Sequence, residues 1–317
     1  MKVPRSVRTV AISVFVVVVL AFFAYSLTSA WHETHGELPS LARLVTAALL
    51  VGIGLLAASV AWAALLGDGN RVDNAATLLV SQLGKYIPGA VWQAASQIGL
   101  AKSAGARVGR SMVAFTVMAL TQAIAGCVYA VVLAVVWTDA SAAVRIALAV
   151  GGLASLALLD RRWMVKVLHK IPRTRSASAA VVPPQRAILI SFLATFTSIT
   201  TTSVAYVLLL ASFGPLHDPV LVLSGYAVAW TIGYIAVPIP SGLGIREAFL
   251  AAILHGTLPS SVIVAASVYL RLASITVEGI LAAGVAHRVR PARLAAARAA
   301  LNDEGQAPAA TQNPEVE

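Results

Sequence analysis

The chain is expected to fold as an all-α polytopic membrane protein, and three observations predict it. Hydrophobic residues make up 59% of the 317 positions and charged residues only 11%, where a soluble domain carries roughly 25% charged. The mean hydropathy is +0.84. Uncharged stretches long enough to cross hydrocarbon as a helix, about 20 residues each, recur along the whole chain. The net charge of +10 does not point to nucleic acid, because the basic residues cluster where loops meet the apolar stretches. The single cysteine, Cys127, excludes an intrachain disulfide and a thiolate metal cluster.

The first apolar stretch follows Lys2, Arg5 and Arg8 and runs over 9–30. It exceeds the ~7–15-residue apolar core of a signal peptide, so an uncleaved first helix is expected despite a faint cleavage pattern at Thr28-Ser-Ala30. Further stretches of spanning length lie at 42–66, 111–137, 142–159, 187–213, 219–237 and 259–286, while 74–103 and 243–256 are apolar but broken by Gly, Pro and polar residues. Lys and Arg in short loops set orientation. They gather at the N-terminus, at 102–110, at 160–186 and after 287, whereas 31–41, 138–141 and 214–218 carry Glu33, Glu37, Asp139 and Asp218 and no Lys or Arg. Both termini and the basic loop 160–186 are therefore assigned to the cytoplasm of a plasma-membrane protein. The stretch 74–103 must then enter and leave on one face, as a re-entrant hairpin of two half-helices. An inner C-terminus requires 243–256 to supply a crossing. The expected architecture is about eight transmembrane helices plus that hairpin, with a second hairpin as the alternative.

Residues 1–287 read as one integral membrane domain and 288–317 as a cytoplasmic tail, basic at first and then polar and disordered. Arg and Ala at helical spacing over His287–Leu301 suit a helix on anionic headgroups. No loop is large enough to hold a catalytic domain.

The first broken stretch contains QLGKYIPGAVW, Gln82 to Trp92. Gly84, Pro88 and Gly89 interrupt a helix, Pro88 by lacking an N–H and Gly89 by permitting reversal. Non-helical backbone at membrane depth survives only where protein or a wet cavity satisfies it. Lys85 is costly there unless it meets a partner, a cavity or a headgroup. Tyr86 and Trp92 suit an interfacial depth, and Gln82, Gln93 and Gln97 are polar neighbours along the half-helices. Half-helix N-termini would add free amides suited to an anion. A plain interfacial loop with a snorkelling lysine is the competing reading.

The second break is YIAVPIPSGLGIRE, Tyr234 to Glu247. Pro238 and Pro240 end one helix, Gly242 and Gly244 allow an extended turn, and Ile245 starts the next helix. Glu247 in its first turn suits the helix dipole and Arg246 does not, so Arg246 is expected to face an anion: Glu278 or a ligand. The Gly-x-Gly is no dinucleotide fingerprint, since no strand precedes it. In the last span Arg271 and Glu278 stand seven residues apart, on one face. They are either functional intramembrane charges or a salt bridge that locks helices together. The hydroxyl-rich run Thr195–Ser203 reads as helix–helix glue before it reads as a ligand path.

At GKYIPGAVW and PIPSGLGIREAF the sequence resembles the lysylphosphatidylglycerol synthase transmembrane-region family, also called flippase-like, over about residues 10–287. The resemblance implies kinship with the membrane half of the multiple peptide resistance factor, which moves aminoacylated phosphatidylglycerol between leaflets. Other members are linked to glycosylation through polyprenyl-phosphate lipids. The chain lacks the soluble aminoacyl-transferase domain of that factor, so synthesis of lysyl-lipid is not expected of it. Lys85, Arg246 and Glu247 fall on motif positions of the family.

The function expected is a lipid translocase: Lys85 and Arg246 hold a headgroup phosphate, while Glu247 and Glu278 balance charge or meet a cationic headgroup. A membrane glycosyl- or aminoacyl-lipid transferase, or an accessory scaffold to one, is the alternative. The six histidines show no ligand spacing beyond His32 and His35, and Asp68 and Asp73 form no metal-binding pair. No metal, no cofactor and no catalytic residue is expected. The expected partners are a membrane lipid with an anionic headgroup and either a second copy or a separate lipid-modifying enzyme; nucleic acid is not.

Overall fold

Helix capping follows the sequence closely. In the computed structural model, which describes residues 38–67, 69–86, 92–171, 174, 181–235, 245–255 and 258–305 together with Tyr25, Thr28, Trp31 and His32, ten α-helices are labelled here in chain order. Helix α1 (Leu41–Leu66) starts where the Ser40 hydroxyl accepts from the Arg43 N–H and stops at Gly67, whose φ of 71° a residue with a side chain rarely adopts. Helix α2 (Arg71–Ser81) is capped by Asn70 and passes into a 3-10 turn, Gln82–Tyr86. Then come α3 (Trp92–Ser103), α4 (Val108–Val136) and α5 (Ala142–Ser155), the last prolonged by a 3-10 turn to Leu159. Asp160 caps the short α6 (Arg161–Lys170). Helices α7 (Gln185–Leu210), α8 (Pro219–Ile235), α9 (Ile245–Ile253) and α10 (Ser260–Gly305) follow.

Five of these segments are long and apolar enough to cross a membrane: α1, α4, α5 with its 3-10 turn, α7, and α10 as far as Val289. Of the expected span 9–30, Tyr25 and Thr28 are the described residues. The bundle has two distinct ends. At one end α6, with buried Met164 and Leu168, packs against Leu65, Leu66, Ala101, Val113 and Ile188, the Arg110 guanidinium abuts Gly67, and Asp73 pairs with Arg288. This end holds 102–110 and 160–170, so we call it the basic end. At the far end Tyr129, Leu133, Leu209, Leu210, Val222, Ile253, Leu254 and Val262 form the core.

The first broken stretch is a hairpin, as expected. Asn70 and Asp73 from the start of α2 and Ser103 and Ala104 from the end of α3 line one pocket of about 140 Å³ at the basic end, with Arg288 beside them. The arms approach so closely that a Cβ on Gly84 would meet the Ser96 hydroxyl at 2.6 Å and the Trp92 carbonyl oxygen at 3.2 Å.

The second break departs from the expected architecture. The nine described residues of α9 rise about 13 Å. Ile253 and Leu250 at the end of α9 approach Gly225 near the start of α8, so the two helices are antiparallel arms open to the far end. Helices α8 and α9 thus pair as antiparallel arms over part of 219–237 and 243–256, where two crossings were expected with a second hairpin as the alternative. The order α1, hairpin, α4 is repeated upside down as α7, hairpin, α10, the inverted-repeat plan of many transporters.

Candidate functional site

The hairpins converge on α10. Arg271 lies 11 residues from Ser260, and Glu278 lies 10 residues from Arg288. At 1.5 Å per residue both are about 15 Å from their respective ends and about 10 Å from each other along the axis. Both carboxylates and Arg271 are shielded: side-chain exposure is 5% for Glu278, 7% for Glu247 and 13% for Arg271.

The basic-end hairpin grips Glu278 through its 3-10 turn. Lys85 Nζ donates to Glu278 Oε1 at 2.5 Å, and Tyr86 Oη donates to Oε2 at 2.9 Å, so both carboxylate oxygens are engaged. The donors are the last two residues of that turn. The Lys85 ammonium also stands 5.3 Å from the Tyr86 ring centroid, in cation–π range. Tyr86, expected at an interface, instead turns its hydroxyl onto a buried acid about 15 Å along α10 from Arg288.

The far-end hairpin grips α10 through α9. Arg271 donates from a terminal guanidinium nitrogen to Glu247 Oε1 at 2.9 Å. Its neighbour Arg246 donates to Tyr226 Oη of α8 at 2.9 Å and lies 5.7 Å from that ring's centroid. Tyr226 in turn stacks on Tyr206 at 4.4 Å, and Tyr206 Oη donates to the Ile263 carbonyl.

Of the residues singled out from the sequence, Lys85, Tyr86 and Glu278 therefore meet, and so do Glu247 and Arg271, while Arg246, next to Glu247 in the chain, bonds to Tyr226. Lys85 and Arg246, expected to share one ligand, have different partners: a carboxylate and a phenol. Arg271 and Glu278 do not bridge each other; each ties α10 to a different hairpin. Gln82 stays on the hairpin, accepting a 3.4 Å bond from Gln93. Gln97 is buried, and its amide nitrogen has no partner among the described residues. Trp92 opens α3 with an exposed ring. Pro88, Gly89, Pro238, Pro240, Gly242 and Gly244 lie outside the described residues. The hydroxyl-rich face of α7 bonds to α4, Ser191 to Thr121 at 2.8 Å and Thr200 to Tyr129 at 2.6 Å, which is the glue reading. Sequence reasoning missed Tyr226 and Tyr206. The one available signal was a pair of phenols deep in apolar segments, where a hydroxyl needs a partner.

No curated protein matches the chain closely enough to count as a relative. The motifs, the helical membrane architecture and a match over residues 9–282 to the model of the lysylphosphatidylglycerol synthase TM region agree, and the chain belongs to that family.

Proposed function

We propose that this protein is a lipid translocase of the cell membrane that moves a phosphate-bearing lipid, phospholipid or polyprenyl-phosphate-linked, between leaflets. The observation that carries the reading is the group Lys85, Arg246, Arg271, Glu247 and Glu278, gathered where two opposed hairpins meet on α10. Isolated charges at that depth are expensive, and intramembrane ionisable residues mark substrate pathways more often than they stabilise a fold. The family name ties the chain to lipid. A phosphate passing through this site trades water for fixed cations, while its acyl chains stay in the bilayer.

Two exchanges open the site. A headgroup phosphate competes with Glu278 for Lys85, loosening the basic-end hairpin, and with Glu247 for Arg271, loosening the other. Both termini are cytoplasmic in this reading, which sets the basic end against the inner leaflet. A lipid-modifying enzyme that supplies the substrate is the natural partner.

Reconstitution into vesicles with a fluorescent acyl-chain lipid tests the proposal. Lys85→Ala and Arg246→Ala should each abolish transfer while the protein still folds and inserts. Undiminished transfer by both variants would remove its basis. Covalent turnover of labelled lipid by the purified protein would favour a transferase instead.

A further inference from the structure

Arg145 is a charge within an apolar segment that the residues on α10 do not use. It closes the first turn of α5, its N–H donating to the Ser141 carbonyl at 3.1 Å. A cation there opposes the helix dipole. It also lies at the far end of the bundle, where the loops 138–141 and 214–218 carry no Lys or Arg. Its Nε donates to the Ala134 carbonyl at 2.8 Å, one of those that the last turn of α4 leaves without an intrahelical partner. That bond holds the side chain across the gap between α4 and α5. The two terminal nitrogens of the guanidinium have no partner among the described residues.

Beside them runs an open groove of about 310 Å³, lined by Ala134 and Val135 of α4 and by Ala142, Arg145, Ile146 and Ala149 of α5. Its place follows from the packing. Near the middle of α5 the two helices touch so closely that a Cβ on Gly152 would meet the Cys127 carbonyl oxygen and Val131 Cγ2, each at 2.5 Å. Toward the far end three alanines line the gap and leave it unfilled. Only 6% of the α5 spanning segment is buried, against 33–44% in the other four, and Val135 and Ile146 on the groove walls are exposed. Apolar walls facing a bilayer are filled by lipid chain, because water there would find too few polar partners.

We propose that this groove holds one phospholipid of the far leaflet, its phosphate on the terminal nitrogens of Arg145 and the upper part of one acyl chain along Val135, Ile146 and Ala149. The depth fits. The 18 residues from Ala142 to Leu159 rise about 27 Å, close to the ~30 Å core. Arg145, the fourth of them, stands about 5 Å inside the far face, and a snorkelling guanidinium reaches the phosphate layer from there. Its planar fork binds two phosphate oxygens at once. The lipid then clamps α5 to α4 where direct contact between the helices is lost. The proposal stands independently of the translocase reading.

Photo-crosslinking tests it. Purified protein in nanodiscs is irradiated with phosphatidylglycerol carrying a diazirine near the top of one acyl chain, and the labelled residues are mapped by mass spectrometry. Labelling at 134–135 and 146–149 should exceed that at exposed Leu153, the reference for ordinary bilayer lipid in every variant. Arg145→Gln keeps a donor for the Ala134 carbonyl but removes the charge, and should lower groove labelling about tenfold relative to Leu153, the worth of one charge-assisted hydrogen bond. Ala149→Leu fills the groove, leaves Arg145 in place and should lower it as well. A diacylglycerol probe with the same chains should label the groove no more than it labels Leu153, and excess glycerophosphate should not displace the phospholipid. Groove labelling unchanged in Arg145→Gln, or equal for diacylglycerol and phosphatidylglycerol, overturns the proposal. Displacement by glycerophosphate would make this a site for soluble anions and overturns the lipid as occupant.

Discussion

At the scale of single residues the site is a set of ion pairs before it is a binding pocket. Glu278 receives one bond from an ammonium and one from a phenol, so each donor's contribution can be separated. Tyr86→Phe removes one hydrogen bond to a charged acceptor and should cost about 1.5–3 kcal/mol of unfolding free energy. Lys85→Ala strands a buried carboxylate and should cost about 3–5 kcal/mol, whereas the double replacement Lys85→Met with Glu278→Leu should recover most of that loss. Denaturant unfolding in a mild detergent measures all three, and a double variant as unstable as the single one would contradict the pairing. The sequence made Lys85, Arg271 and Glu278 legible because charges are rare in apolar segments. It did not make their partners legible, since Lys85 and Glu278 are 193 positions apart and spacing along one helix says nothing about its neighbours. Tyr226 was less legible still: nothing local marks it as the acceptor for Arg246.

Among the elements, the hairpins show what loop charge can and cannot reveal. The first was predictable because the loops before and after it belong to one face. The second was not, because two crossings and one hairpin leave the following loop on the same side; counting Lys and Arg is blind to the exchange. The Pro and Gly residues at 238–244 left the register of α9 open from sequence alone. Close approach within the first hairpin yields a test. Gly84→Val should force the arms apart, cost about 1–3 kcal/mol and weaken transfer by displacing Lys85 and Tyr86, which follow it directly. Transfer and stability both equal to wild type would show that the tip tolerates a side chain. Gly126 has a parallel role between α4 and α8, where an added Cβ would collide with Thr231.

For the whole molecule, the two ends of the bundle make a prediction about sidedness. With Cys127 replaced by Ser, single cysteines at Asn70 and Lys102 should react with a membrane-impermeant maleimide from one side, and those at Asp218 and His255 from the other. All four positions are exposed. Labelling of Asn70→Cys and Lys102→Cys from opposite sides would mean that the first hairpin crosses. The fold class was readable at this scale from composition alone, whereas the upside-down repetition was not, because it is a relation between contacts rather than between residues.

The roughly 10 Å separating Arg271 from Glu278 along α10 has a consequence for passage. In the proposed transfer, a polar group handed from one cluster to the other moves over about a third of the ~30 Å insulating layer. Because each hairpin enters from its own side, neither partition must sweep the full thickness. Under the translocase proposal the dielectric barrier would be broken into shorter hops between stationary charges.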